Sequence, residues 1–256
     1  MPIIQSLERA LHILDLFDEN TPELKISEIS VRLNLHKSTL HSLLKTLQKH
    51  GYIDQDADSG KYRLGLKLLE RGQLLLQSLD IRTVARKTLL DLSKHTGQTT
   101  HLVILDGREG VYIDKVEGEK AAIRYSRIGR RVPLHSSAVG KVLAAYSNPE
   151  DLKRLMAGYE FFPQTSKTIQ DKEAFMEELA AVRRKGYAVD NEENEPGVRC
   201  AAAPIFDHAG RAVAAMSIST MVSAVGDEEF LGFVNFMKDQ CSIISKQLGY
   251  RGAATL

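Results

Sequence analysis

Residues 36–51, HKSTLHSLLKTLQKHG, gather the side chains best suited to nucleic-acid chemistry. Leu40, Leu43, Leu44 and Leu47 recur at the i, i+3, i+4, i+7 spacing that lays one apolar stripe along an α-helix. Ser38, Ser42, Lys45 and Lys49 fall on the opposite face, with His41 at its edge. Gly51 follows as a residue that can end the helix in a left-handed turn. From Arg32 to His50 there are four Lys or Arg residues and no Asp or Glu. Any surface helix has a polar face, but a leucine back with a Ser/His/Lys front is what a major groove accepts. Ser38, Thr39, His41 and Ser42 lie in the half that would meet base edges, and Lys37 beside them is a further DNA-binding candidate. Lys45 can reach a base or a phosphate, and Lys49 a phosphate.

The flanks must position this helix. Upstream, Ile26-Ser27-Glu28-Ile29 predicts a short helix with Ser27 as its N-cap and Ile29 and Leu33 inward. Asn34-Leu35-His36 makes the corner of a helix-turn-helix. Downstream, Tyr52-Ile53 and Tyr62-Arg63-Leu64 are short strand signals around the turn-rich tip Asp56-Ala57-Asp58-Ser59-Gly60. Such a β-hairpin is a wing, and its Lys61 and Arg63 are placed to clamp backbone or minor groove. Residues 3–18 predict a first amphipathic helix, with Ile4, Leu7, Leu11 and Leu14 as the stripe that packs on a neighbouring helix. A three-helix core plus wing over residues 1–64 follows.

At 256 residues the chain can hold one large domain or two ordinary ones. Hydrophobic residues make up 43% and charged residues 26%, a balance that excludes disorder. The formal net charge is only +1, so a DNA-facing surface must be a local patch. Cys200 and Cys241 are too few for a disulfide framework or a zinc ribbon. No apolar run approaches the ~20 residues of a membrane span. No signal-peptide pattern opens the chain, so a cytoplasmic protein is expected.

Residues 65–80 carry leucine at 66, 68, 69, 74, 75, 76 and 79. Leu68, Leu75 and Leu79, with Gly72 between, fit a short seam, and a linker helix that pairs two subunits is expected. Residues 81–250 change character. Ile81–His95 predicts a helix closed by Gly97. Thr99–Leu105, Val111–Val116 and Ala122–Ser126 predict strands. A loop at Gly129–His135 leads to a helix at Ser137–Tyr146, then helices after Asn148-Pro149 and at Asp171–Lys185. Tyr187–Asp190, Arg199–Phe206 and Arg211–Thr220 predict further strands, and Asp227 caps a final helix. An α+β fold with an antiparallel sheet is expected.

Three stretches carry a resemblance. They are QSLERALHILDLF at 5–17 with SEISVRLNLHKSTLHSLLKTLQKHGYI at 27–53, then PLHSSAVGK at 133–141, then GYAVDNEENEPGVRC at 186–200 running into Ala203-Pro204-Ile205. On these the chain resembles the IclR family of bacterial transcriptional regulators. The resemblance implies an N-terminal winged helix-turn-helix, a linker helix, and a C-terminal GAF-like effector domain of antiparallel sheet with helices. It also implies homodimers that pair into tetramers on a double-stranded operator, and leans towards repression. It brings together Ser137, Ala138, Val139, Asp190, Cys200, Ser217 and Ser219 as an effector site. Backbone N–H groups at a helix start, small hydroxyls and one thiol suit a small oxygenated anion, an organic or sugar acid. No cofactor and no metal are implied.

Each of these residues also has a plainer role, since a lone Cys is usually a small buried hydrophobe. Two other functions compete. Cys200, His135 and Asp190 could form a nucleophilic set in a GAF-like enzyme. His101, His135, His208 and Cys200 could hold zinc, but without the usual ligand spacing. A winged-helix protein that only assembles is a third possibility.

Overall fold

The computed structural model describes residues 3–18, 20–77, 80–120 and 126–252. The chain divides into two compact units, residues 1–78 and 79–256.

In the first unit, α1 (Gln5–Asp15), α2 (Ile26–Leu33) and α3 (Lys37–Lys49) enclose a core of Ile13, Phe17, Leu24, Ile29, Leu40 and Leu44. Each fully buried aliphatic side chain here stabilises the fold by about 1.5–3 kcal/mol relative to exposure. The α2 cap differs from expectation. Lys25 is the N-cap, and Glu28 three residues on accepts from its backbone N–H at 2.6 Å, so Ser27 lies inside the first turn. The acceptor three residues into the helix thus outweighs the hydroxyl at 27.

The turn to α3 is tight because Asn34 adopts the left-handed conformation, φ 51°, and Ser30 Oγ donates to the Leu35 carbonyl at 2.6 Å. Gly51, φ +74°, ends α3 as expected, with the Tyr52 N–H donating to the Leu47 carbonyl at 2.9 Å. Strands β1 (Ile53–Gln55) and β2 (Tyr62–Leu64) pair antiparallel. An isolated antiparallel bridge between Leu24 and Tyr62 ties the segment before α2 to β2. Helix α4 (Lys67–Gln77) completes the unit.

The first helix turns a different face inward from the one its stripe suggested. Ile4, Leu7 and Leu11 are 66%, 56% and 52% exposed, while Ile13 is wholly buried and Phe17 nearly so. Leu14 alone of the stripe packs against the core. Apolar spacing names the faces of a helix that favour contact, not which one its own domain covers.

In the second unit, α5 (Asp80–Thr96) leads into β3 (Thr99–Asp106) and β4 (Glu109–Val116), then β5 (Arg131–Pro133), α6 (Ala138–Ala145), α7 (Pro149–Met156) and α8 (Lys172–Lys185). Strands β6 (Ala188–Asn191), β7 (Val198–Phe206) and β8 (Ala212–Met221) precede α9 (Asp227–Gln247). The six strands form one antiparallel sheet in the order β5-β4-β3-β8-β7-β6. One face packs Leu102, Ala203, Met216 and Ile218 under α5 and α9. The other packs Val103, Ala188, Ala202 and Ala215 under α6 and α8. The α+β architecture, with a helical core and wing followed by an antiparallel sheet with helices, is as the sequence predicts. The strand expected at Ala122–Ser126 falls outside the described residues but for Ser126, which is not in a strand. Residues 131–133, read as loop, form the edge strand β5. Among the described residues, no helix is long and apolar enough to cross a membrane.

Helix α6 is buried over its whole length, and Gly140 lets it lie there. A Cβ on Gly140 would stand 2.5 Å from the Pro133 carbonyl oxygen and the Leu134 Cα, both backbone atoms that cannot yield. Gly140→Ala is therefore expected to destabilise the chain by about 1–3 kcal/mol, read as a lowered urea midpoint at unchanged slope.

Candidate DNA interface and effector site

The solvent face of α3 is as the leucine spacing requires. Lys37, Ser38, Thr39, His41, Ser42, Lys45 and Lys49 are all exposed, while Leu40 and Leu44 are buried. Lys37 is the first helical residue after the N-cap His36, and no acidic side chain occupies the first turn. Ser42 Oγ turns back to the Ser38 carbonyl at 3.4 Å, a weak bond that leaves its oxygen able to accept. The wing cations are less available. Arg63 is bound through Nε and Nη2 to one oxygen of Asp54, at 3.3 and 2.9 Å, and Lys61 lies 3.7 Å from Glu23.

The seven effector-site candidates come from four elements of the second unit. Strand register aligns Asp190 with Cys200, Cys200 with Ser219, and Ser219 with Thr99 in one row across β6, β7, β8 and β3. Directly paired residues point to the same face, so this row lies on the α6 side. The Cys200 thiol donates to Ser219 Oγ at 3.1 Å. Burial pushes that thiol up, with the Asp190 carboxylate adding to the effect, so it stays protonated. Ser217 lies in the next row, paired with Ala202 and His101. Its hydroxyl is 3.3 Å from His101 Nδ1, and His101 Nε2 is 2.8 Å from Ser126 Oγ. Burial lowers His101 to about 3, so it remains a neutral imidazole among hydroxyls.

Ser137 is the N-cap of α6, accepting from the Gly140 N–H at 3.1 Å and donating to the Pro133 carbonyl at 2.6 Å. Ala138 and Val139 form the first turn and share one apolar cluster with Ala202 and Cys200. The helix start and the polar row therefore belong to the same layer.

Asp190 is 3% exposed, and its Oδ1 accepts from the N–H groups of Glu193 and Asn194 at 2.7 and 3.2 Å. Burial nonetheless pushes its carboxyl up to about 7. The loop that supplies those N–H groups is held from several sides. Lys141, a residue 1% exposed, donates through Nζ to Glu193 Oε1 at 2.7 Å, to the Val189 carbonyl at 2.9 Å and to Glu178 Oε1 at 3.4 Å. Ser136 Oγ donates to Asn194 Oδ1 at 3.0 Å, and Thr168 Oγ1 to the Glu193 carbonyl at 2.6 Å.

Sequence reasoning passed over Lys141, Thr99, Ser126, Ser136 and Asn194, and considered His101 only for zinc. One signal was present: a lysine inside the otherwise small and apolar helix AVGKVLAA. The alternation Thr99, His101, Val103 places two polar groups on one strand face, but only pairing shows that they meet Ser219 and Ser217.

The nucleophile and zinc constellations are not assembled. His135 offers both ring nitrogens elsewhere, Nδ1 to the Tyr159 hydroxyl at 2.9 Å and Nε2 to the Phe162 carbonyl at 3.0 Å. His208 is exposed on a turn. Among the described residues, no three His, Cys, Asp or Glu side chains are grouped to hold a metal ion.

Asp190 ties stability to pH. Its carboxyl ionises near 3.8 when unperturbed and near 7 in the folded chain, so between those values the folded state binds more protons. Stability contributed by this group is present below about 4 and is lost as pH rises through about 7. Asp190→Asn should therefore gain stability relative to the native chain between pH 5 and pH 8. Urea unfolding at both values checks this, and a pH-independent difference would contradict it.

Comparison with known proteins accords with this geometry. Residues 6–57 match the IclR helix-turn-helix domain, and residues 73–246 match the bacterial transcriptional regulator IclR C-terminal family. The HTH-type transcriptional regulator XynR of Escherichia coli K12 is 56% identical over 250 residues, covering 98% of this chain and 99% of XynR. The crystal structure of the Thermotoga maritima IclR superposes with a TM-score of 0.78 at 39% identity, covering 96% of this chain and 99% of that one. An IclR homolog from Microbacterium hydrocarbonoxydans, complexed with 4-hydroxybenzoate, superposes with a TM-score of 0.81 at 25% identity, covering 95% and 98%. The protein belongs to the IclR family of bacterial transcriptional regulators, a DNA-binding regulator with its helix-turn-helix at one end and its effector-domain sheet at the other.

Proposed function

We propose that this regulator is a cytoplasmic repressor whose hold on its operator is controlled by a small organic acid in the C-terminal domain. The observation that carries the effector half is the shared layer of the α6 start with Asp190, Cys200 and Ser219. An acid's carboxylate suits the N–H groups of the first turn, and its hydroxyls suit Ser217, Ser219 and the Asp190 carboxyl. Arg130 adds a positive charge near Tyr112 and Glu195, opposing the upward push of burial on both. The 4-hydroxybenzoate bound by the Microbacterium homolog is itself a small hydroxylated acid. A ligand acts on DNA binding only through unequal affinity for the two states of the regulator. An enzymatic role for Cys200 is set aside, because burial keeps its thiol protonated and that thiol donates to the Ser219 hydroxyl rather than to a base.

In the DNA half, Ser38, Thr39, His41 and Ser42 are assigned to base edges and Lys37, Lys45, Lys49, Lys61 and Arg63 to phosphate or base contacts. We assign subunit pairing to the linker leucines and to the apolar residues that the first unit leaves exposed. Leu66 just before α4, Leu69 and Leu74 on it, Ile4 at the α1 cap and Leu7 and Leu11 on α1 are all large exposed apolar side chains. Leu68 is half-buried, and the side chains of Leu75 and Leu79 lie outside the described residues. A homodimer, paired again on DNA, is the expected assembly.

Three outcomes are expected. Lys45→Ala weakens binding to duplex DNA and lowers the salt slope of log K by roughly one, because one phosphate contact is lost. Leu75→Lys with Leu79→Lys loosens the assembly, which sedimentation would show as a smaller species. Glyoxylate, pyruvate, gluconate and 4-hydroxybenzoate, screened by thermal shift, include at least one acid that raises Tm. At 100 times its Kd such a ligand adds about 2.7 kcal/mol. Ser219→Leu should abolish that shift while Lys45→Ala keeps it; equal shifts in native chain and Ser219→Leu would place the acid elsewhere.

A further inference from the structure

The wing carries its own counterions. Strand register sets Asp54 directly across from Arg63 on β1 and β2. The antiparallel bridge between Leu24 and Tyr62 brings Glu23 alongside the same strand from its other edge. Arg63 is thus flanked by a carboxylate strand on each side, and Lys61 shares Glu23 at 3.7 Å. The guanidinium does not float free beside Asp54; two of its nitrogens bind one carboxylate oxygen, and that bond holds the Asp54 carboxyl below the usual range.

Charge bookkeeping along the hairpin points the same way. Residues 53–64 contain Asp54, Asp56 and Asp58 against Lys61 and Arg63, an acidic balance even before Glu23 is counted. Asp56 is committed to the tip, accepting from the Ser59 backbone N–H and hydroxyl, both at 2.8 Å. Helix α3, by contrast, shows Lys37, Lys45 and Lys49 with no acid on the helix. A uniformly cationic surface would bind any phosphate backbone, since that attraction carries no sequence information.

We propose that Asp54, with Glu23 beside it, is a specificity-determining residue of the DNA interface: it neutralises Arg63 on the free wing and so suppresses sequence-independent binding. The proposal rests on the DNA interface assigned above. Arg63 offers its full charge to a phosphate only after parting from Asp54. Discrimination of this kind, by an element that opposes the wrong partner, is an ordinary route to specificity.

The test uses the full-length chain and a random-sequence 30-base-pair duplex, followed by fluorescence anisotropy over a salt series. Asp54→Asn keeps the shape of the exposed side chain and removes the charge. It should tighten random-duplex binding by about two- to fivefold, the range an exposed ion pair can hold back. The salt slope should steepen by about one as Arg63 becomes free to meet a phosphate. Adding Arg63→Ala should return both affinity and slope to the native values or below. Glu23→Gln should act in the same direction as Asp54→Asn and more weakly.

Unchanged affinity and slope in Asp54→Asn, or weaker binding, overturns the proposal. A gain that survives Arg63→Ala in full overturns it too, because the charge would then act without Arg63. Lys45→Ala measured on the same duplex keeps the two assignments apart. If Lys45→Ala weakens binding while Asp54→Asn does nothing, the α3 interface stands and the wing proposal alone falls. If Lys45→Ala binds as the native chain does, the interface itself is misassigned.

Discussion

The C-terminal unit turns on one buried ammonium. Lys141 is among the largest fully buried side chains, and its three acceptors come from β6, from the loop after it and from α8. Taking a charge out of water costs several kcal/mol unless it is paired and hydrogen-bonded, so the acceptors are obligatory rather than decorative. The same bonds fix α6 against the sheet edge and fix the 192–194 loop over Asp190. Burial raises Glu193, with Lys141 pulling the other way, and Glu193 Oε2 is left buried without a hydrogen bond. Removing Lys141 would strand that carboxylate, which is the costlier half of breaking a buried pair.

The N-terminal unit is built on different physics. Among its described residues no buried charge organises it; eight apolar side chains and two backbone devices, the left-handed Asn34 and Gly51, set the angle and length of α3. The ion pairs of Lys61, Arg63 and Lys67 are exposed or only half-buried, and such pairs change affinity and rate more than stability. A regulator needs this division. The DNA-reading element must be rigid in shape, yet its charges must remain free to exchange partners when a phosphate backbone arrives.

Much of this was legible in the sequence. The leucine period of α3, the turn residues of the wing and the Gly51 stop each follow from local rules, and each is where those rules put it. The row of effector-site candidates was only partly legible. Ser217 and Ser219 share a face by the period of two, but nothing local aligns them with His101, Thr99, Cys200 and Asp190, because strand register is set by long-range pairing. The inward face of α1 was read wrongly for a related reason. Ile4, Leu7 and Leu11 have the right spacing for a core, yet the core residues are Ile13 and Phe17, and only the packed neighbours decide between them. Counterions were invisible for the same cause: Asp54 and Arg63 are nine residues apart and become partners only through the hairpin.

The four-strand row from Asp190 to Thr99 has a consequence for how such a site can diversify. Each of its members hangs from a strand hydrogen-bonded to neighbours, so the row is a fixed lattice of positions about 5 Å apart. Chemistry can change there one side chain at a time without moving the backbone. The loop after Asp190 and the start of α6 are tied together by Lys141, Ser136 and Thr168, and a substitution there moves several groups together. Over evolutionary time substitutions can therefore accumulate in the row while the tied loop and helix start stay as they are.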